Sequence, residues 1–331
     1  MVELIAYGFG PDGKGGPVPL PARAEALSPP EGGFTWVHIN ATSEQSQDWI
    51  AGAGFDPIVR EALSAAETRP RATVHGDTVL MNLRGINLNP GAEPEDMVSL
   101  RMFLSKSLAV TVERRDLAAV DDVITGLARG AGPASVGELV ARLALRIADR
   151  VEPVVATLNE RIDDLEDTEP QADTRSRRSE LADVRRMAIV MRRYMFPQRD
   201  ALSTLEIEDV DWLDTRARAR LREATERVTR LAEELDAIRD RAQVVHDEIM
   251  DLRAEAMNRQ MLLLSVVSAI FLPLSFLTGL LGINVGGIPG ASAPWAFWAV
   301  VALLIVLAVA LAVVFRRMGF LGGPGGRGGG D

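Results

Sequence analysis

No cysteine occurs in the 331 residues and histidine occurs only three times. The first absence excludes disulfide scaffolds, thiolate zinc sites, iron–sulfur ligation and cysteine nucleophiles together. His38, His75 and His246 are scattered, with no partner at metal-ligand spacing, so no preformed zinc site is expected and each reads as a lone histidine. Basic charge is also short: 36 Lys and Arg face 46 Asp and Glu, a net charge of -10. The basic residues are interleaved with acids, so no phosphate-binding patch forms and nucleic acid is not an expected partner. No Ser/His/Asp arrangement or paired catalytic carboxylates can be picked out, so neither enzymatic chemistry nor a resident cofactor is expected. The N-terminal MVELIAYGFGPDG has Glu3 early and no basic stretch, and does not read as a secretory signal.

The remaining absence is local. A quarter of the residues are charged, yet mean hydropathy is slightly positive, so the apolar excess must be concentrated. From Met261 to Phe315 there is no Asp, Glu, Lys, Arg or His. That is roughly 55 residues, enough for two membrane helices of about 20 and a turn. The first runs from Met261 to Gly282 and the second from Pro294 to Phe315, with the Gly- and Pro-bearing INVGGIPGASA between them as an exposed loop. Arg253 and Arg259 before the first pass, Arg316 and Arg317 after the second, and the uncharged loop predict both termini on the cytoplasmic side. Trp295 and Trp298 then mark the outer interface. In the first pass Ser265, Ser268 and Ser275 share one stripe with Leu272; the stripe either lines a pore or allows close helix packing. Pro273 lies in the same helix.

Upstream runs a 3-4 apolar repeat: Ala217, Leu221, Ala224, Val228, Leu231, Leu235, Ile238, Ala242, Val245, Ile249, Leu252 and Ala256. It predicts one coiled-coil stalk helix continuous with the first pass, on the order of 100 Å long at 1.5 Å per residue. Two helices, about Val136 to Leu165 and Thr174 to Arg199, separated by DDLEDTEP, predict a hairpin packed on the stalk. Residues 1 to about 130 alternate strand-like and helix-like segments, an α/β or α+β domain: VELIAYGF, TWVHIN, RATVHGDTVLMNL, MVSLRMFL and LAVTVE are strands, DPIVREALSAAE and DLAAVDDVITGLAR helices. The expected division is 1–132 cytoplasmic α/β domain, 133–208 helical hairpin, 209–260 stalk, 261–283 first transmembrane helix, 284–294 outer loop, 295–315 second transmembrane helix and 316–331 tail.

Gly8 to Lys14, GFGPDGK, nearly makes a phosphate loop, but GGPVPLP follows where a helix is required and Gly15 replaces the magnesium-binding hydroxyl, so it reads as a strand-connecting turn. The acidic clusters from Asp163 and Glu206 read as solvated faces or caps.

The first pass ends Gly282-Ile283-Asn284-Val285-Gly286-Gly287-Ile288-Pro289-Gly290. This resembles the CorA metal-ion-transporter superfamily, the two-transmembrane GxN proteins, and within it the ZntB-like zinc branch, where Gly-Ile-Asn precedes Gly-Gly-Ile-Pro. The resemblance spans the chain. It implies a homopentamer in a bacterial-type cytoplasmic membrane, in contact with lipid, carrying zinc or related ions such as nickel, cobalt or cadmium. It also implies a selectivity filter of Gly282, Ile283 and Asn284, with the Asn284 carboxamides meeting a hydrated ion. Ile283 departs from the Gly-Met-Asn of the magnesium channels, and the loop lacks the acidic residue many of them carry.

Two helices cannot enclose a water-filled path, so a pore requires oligomerisation, for which the stalk seam is the expected surface. Met261, Leu264, Ser268, Leu272 and Ser275 are the expected pore-lining residues, with Leu264 and Leu272 as apolar constrictions. No titratable group lies in the membrane, so proton coupling would need water or cytoplasmic groups. A magnesium or cobalt channel of the same fold and a membrane-anchored coiled-coil scaffold are the rival readings.

Overall fold

The computed structural model describes residues 4–318 except 67, 131, 168–173, 284, 285, 287, 289, 291 and 292. Its elements in chain order are β1 (Leu4–Phe9), β2 (Gly15–Pro17), β3 (Phe34–Asn40), α1 (Glu44–Gly52), α2 (Pro57–Ser64), β4 (Arg71–His75), β5 (Thr78–Gly85), β6 (Val98–Leu104), β7 (Leu108–Glu113), α3 (Ala118–Leu127), α4 (Val136–Asp167), α5 (Thr174–Ile207), α6 (Thr215–Leu281) and α7 (Ala296–Arg317). The chain forms two compact units, divided after His246.

The first unit is built on a seven-stranded sheet of order β2-β1-β3-β7-β6-β5-β4. Only β3 and β7 pair in parallel; the other neighbours are antiparallel. The β-branched and aromatic run FTWVHIN of β3 is buried throughout, as a central strand covered on both faces must be. Edge strand β4 alternates exposed and half-buried residues instead. On one face Val37, Ile39, Val110 and Val112 pack with Trp49 and Ile50 of α1 and Leu63 of α2. These two helices are started by side-chain caps, Ser43 on Ser46 N–H and Asp56 on Ile58 N–H, the latter with Pro57 in the first turn. On the other face α4 and α5 lie against β4 and β5.

Three readings of the sequence change here. RATVHGDTVLMNL is a hairpin, β4 and β5, because Gly76 takes a positive φ of 57° and lets the chain reverse. The region after GFGPDGK is an edge strand, β2; Gly13 (φ 74°) lies in the β1–β2 turn, and the Gly132 backbone comes so close to it that a Cβ there would stand 2.7 Å from the Gly132 carbonyl oxygen. Helix α1, which was not predicted, fills a stretch of mostly polar residues on the strength of its cap and of Trp49 and Ile50.

Helices α4, α5 and the first part of α6 pack together. Asp214 caps α6 by accepting from Ala217 N–H at 2.7 Å. The repeat Ala217, Leu221, Ala224, Val228, Leu231, Leu235, Ile238, Ala242 and Val245 is buried at every position in this unit. Burial of each large member stabilises by about 1.5–3 kcal/mol. From Ala217 to Val245 the seam expected to drive oligomerisation is therefore covered within the protomer, whereas Leu252 is half-buried and Ala256 exposed. Ion pairs fix the register: Glu138, Asp149 and the Asp163–Glu166 pair on α4 meet Arg220, Arg227 and Arg241 on α6, so these two helices run in parallel. Asp236 of α6 meets Arg192 of α5, and Glu206 meets Arg222, which makes α5 antiparallel. The acidic clusters are thus partners of helix arginines.

Buried Glu138 anchors the start of this bundle. It accepts from Ala134 N–H at 2.8 Å and from Arg142 at 3.0 Å, and pairs with Arg220. Burial alone would raise its pKa, but these partners together hold it below the ordinary carboxylate value.

The histidines keep to structural places. His38 is buried in β3, its Nδ1 2.9 Å from Thr111 Oγ1 and its Nε2 3.5 Å from Glu113 Oε1. His75 is exposed at the end of β4, and His246 is half-buried.

Candidate functional site

The second unit contains the end of α6 and the whole of α7, and both helices are long and apolar enough to cross a membrane. Between Met261 and Phe315 every polar side chain is neutral, so any charge met here is met by dipoles alone.

The residues of α6 divide into two faces. Leu262, Val266, Ala269, Ile270, Pro273, Leu274 and Leu277 are its less accessible side; Val266 is 5 % exposed. At 100° per residue this side centres near Val266, and Met261, Leu264, Ser268, Leu272 and Ser275 lie on the opposite one. All five are exposed, Leu264 at 68 % and Leu272 at 69 %. Ser265, one position around the helix from them, is exposed too. The apolar members of this face alternate along the axis with hydroxyls. Pro273 lacks an N–H, so the carbonyl of Ala269 loses its usual helical donor.

At the end of α6 the backbone tightens. Gly282 N–H is shared between the Thr278 carbonyl at 2.9 Å and the Gly279 carbonyl at 3.2 Å. A Cβ on Gly282 would stand 3.0 Å from that Thr278 oxygen, a tight contact that a larger residue would have to relieve. Ile283 follows, exposed. Asn284, the residue expected to face the ion, lies outside the described residues, as do Val285, Gly287 and Pro289 of the same motif. Gly290, at φ 79°, accepts from Ala293 N–H at 2.9 Å and turns the chain toward α7. Trp295 and Trp298 are exposed there, and Phe297 meets Trp298 edge-on at 5.4 Å. Arg316 and Arg317 close α7, where cations complement the helix C-terminus.

One residue was missed in the sequence. Thr278 is exposed one turn before Gly282, and its Oγ1 lies 3.0 Å from both the Leu274 and the Ser275 carbonyl oxygens. Donating its proton backwards leaves the oxygen lone pairs as acceptors for solvent or a cation's water shell. The signal was available: Thr278 follows Ser275 at helical spacing of three.

Among the described residues no group of three His, Cys, Asp or Glu side chains is placed to hold a metal ion. The arrangement suits passing contact with a hydrated cation better than tight chelation, since it offers carbonyls, hydroxyls and small residues at a helix end.

The family model described as CorA-like Mg2+ transporter protein matches residues 31–317. The chain is 38% identical over 311 residues to the zinc transport protein ZntB of Pectobacterium carotovorum, covering 94% of each. It is also 38% identical over 324 residues to the divalent cation transporter CmaX of Pseudomonas aeruginosa, covering 96% of this chain and 97% of that one. The structure of the full-length CmaX protein superposes with a TM-score of 0.78 at 37% identity, covering 95% and 96% of the two chains. The CorA magnesium transporter of Methanocaldococcus jannaschii shares the fold, with a TM-score of 0.81 at 18% identity over 97% of this chain and 99% of that one.

Proposed function

The chain belongs to the family of CorA-like Mg2+ transporter proteins, and from that premise we propose that it carries divalent metal cations, zinc foremost, across the bacterial cytoplasmic membrane. The reading is carried by one conjunction: an uncharged, hydroxyl-bearing face on α6 that ends in Gly282, Ile283 and Asn284, in a chain alike from end to end to a zinc transport protein. Nickel, cobalt and cadmium are further cargoes of the same charge.

In this reading α6 and α7 each cross the membrane once, with both termini cytoplasmic because the flanking arginines stay inside. One protomer brings two helices and cannot enclose a pore, so the working form is a homopentamer with the face of Met261, Leu264, Ser268, Leu272 and Ser275 turned to its axis. Five Asn284 carboxamides form the outer ring. Neutral oxygen acceptors hold the water shell of a divalent ion without paying to strip it. Leu264 and Leu272 narrow the path and exclude water when the pore is closed. No side chain within the span can titrate, so coupling to a proton gradient runs through water or through groups of the N-terminal domain.

Magnesium is the rival cargo, favoured by the family's description. Against it stands the uncharged loop, which gives a strongly hydrated ion no electrostatic attraction at the entrance. Uptake of zinc into proteoliposomes containing a zinc-responsive dye separates the readings. Zinc entry that a proton gradient accelerates and excess magnesium leaves intact is the expected result. Entry blocked by magnesium and indifferent to the gradient would make the protein a magnesium-type channel, and no entry of either ion would leave only the scaffold.

A further inference from the structure

Where β5 and β6 meet α5, four arginines surround an open cavity of about 460 Å³. They are Arg84, Arg101, Arg114 and Arg115; the exposed Asp96 lines the cavity as well, yet among the described residues no carboxylate bonds to any of the four. Arg101 is the unusual one. It is 2 % exposed, yet its guanidinium donates only to backbone carbonyls: Ala65 at 2.8 Å, Ala66 at 3.1 Å and Ser99 at 3.4 Å. Three of its five N–H groups are used in this way. Arg84 is held over the Tyr194 ring at 4.3 Å and donates to the Thr68 and Met97 carbonyls, and Arg114 donates to the Ser64 carbonyl at 2.7 Å.

A buried cation without a counter-charge is costly, and the cost appears in Arg101 itself. Burial, together with the charges of Arg114 and Arg84, lowers its pKa to about 10. A fold that positions a buried guanidinium by three carbonyl bonds and brings more guanidinium groups to the same cavity has prepared a place for negative charge.

The same lining supplies a second, independent observation. Glu95 lines the same cavity and is 5 % exposed; its Oε1 accepts from Arg186 at 2.6 Å, while its Oε2 is buried with no hydrogen-bond partner. A buried carboxylate oxygen left unpaired needs a donor. A simple anion would satisfy the arginines and leave Glu95 as it is. A molecule with an oxyanion at one end and a hydroxyl or amino hydrogen at the other would satisfy both, and a cavity of this size admits one.

We propose that this cavity binds a small phosphorylated solute, its phosphate held by Arg101, Arg114 and Arg115 and a hydroxyl or amino hydrogen donated to Glu95. The site is independent of the proposed ion path. Because its walls come from both the sheet and α5 of the hairpin, occupation ties those two elements together.

Isothermal titration calorimetry on the full-length protein in detergent micelles, in low-salt buffer with EDTA, tests this with inorganic phosphate, glucose 6-phosphate and AMP as probes. Glucose 6-phosphate or AMP should bind about tenfold more tightly than inorganic phosphate, because only they can reach Glu95 as well. Arg101 is buried and its replacement would disturb the fold, so the variants are the exposed Arg114→Gln and Arg115→Gln, with the distant Arg178→Gln as control. Each of the first two should weaken binding about tenfold and the control should not. No saturable heat with any probe up to about 10 mM, or binding that Arg114→Gln and Arg115→Gln together leave unchanged, would overturn the proposal. Equal affinity for phosphate and for the two larger probes would remove Glu95 from the site.

Discussion

Glu113 shows how far one residue's chemistry can be followed. It is buried beside His38, and its Oε2 accepts from Leu117 N–H at 3.2 Å. Burial is the largest influence and raises its pKa; His38 opposes this, and Asp116 and Asp121 add to the rise. The sign then follows. An acid whose folded-state pKa exceeds its unfolded value contributes stability that is complete below about 4.5, the ordinary value, and lost as the pH climbs through the raised one. Glu113→Gln should therefore melt about 1–3 °C higher than wild type at pH 8 and show a flatter dependence of Tm on pH between the two values. An unaltered slope would mean that the carboxyl pays no burial cost. On the proposed pore face, Leu272→Ser places a hydroxyl at an apolar constriction and should raise resting ion leak into proteoliposomes about tenfold. A leak equal to wild type would move the constriction elsewhere on the helix.

Among the helices, α4 approaches the start of α6 closely. A Cβ on Gly137 would lie 2.7 Å from Leu213 Cδ1 and 2.8 Å from Ala217 Cβ. Alanine favours helix by about 1 kcal/mol over glycine, but overpacking costs about 1–3 kcal/mol, so Gly137→Ala should lower stability in urea denaturation. The ion pairs along the same helices contribute less. Arg241, clamped by Asp163 and Glu166, is a third exposed, and Arg241→Ala should cost less than about 1 kcal/mol and still less at high salt. The same elements show what the sequence could reveal. The helices were legible because periodicity is local, and α4 begins at the expected Val136 and ends at Asp167, two residues beyond Leu165. Helix α5 passes the expected Arg199 and ends at Ile207, since Pro197 removes one N–H without stopping the helix. Strand β2 was not legible, because GGP has no side chains to form a pattern and is a strand only through its pairing with Tyr7, Gly8 and Phe9. The arginine cavity was hidden for another reason: residues 84, 95, 101, 114 and 194 meet only after β5, β6 and α5 have packed.

At the scale of the molecule the apolar surface needs a home. Leu264, Phe271, Leu272, Phe276, Trp295 and Trp298 are all more than three-fifths exposed, a density that water does not tolerate and lipid or neighbouring subunits would cover. From Ala217 to Ile249 the stalk seam is buried inside the protomer, so in the proposed assembly subunits would meet through other surfaces. The proposed passage motif was legible as sequence, since Gly282, Ile283 and Asn284 follow a run without charge, while the proposed ring would exist only in an assembly. The account therefore rests most directly on Asn284. Zinc flux into proteoliposomes measured for Asn284→Ala beside wild type, at equal protein incorporation, should fall about tenfold or lose its preference for zinc over magnesium. Flux and preference equal to wild type would contradict the claim that this carboxamide meets the ion.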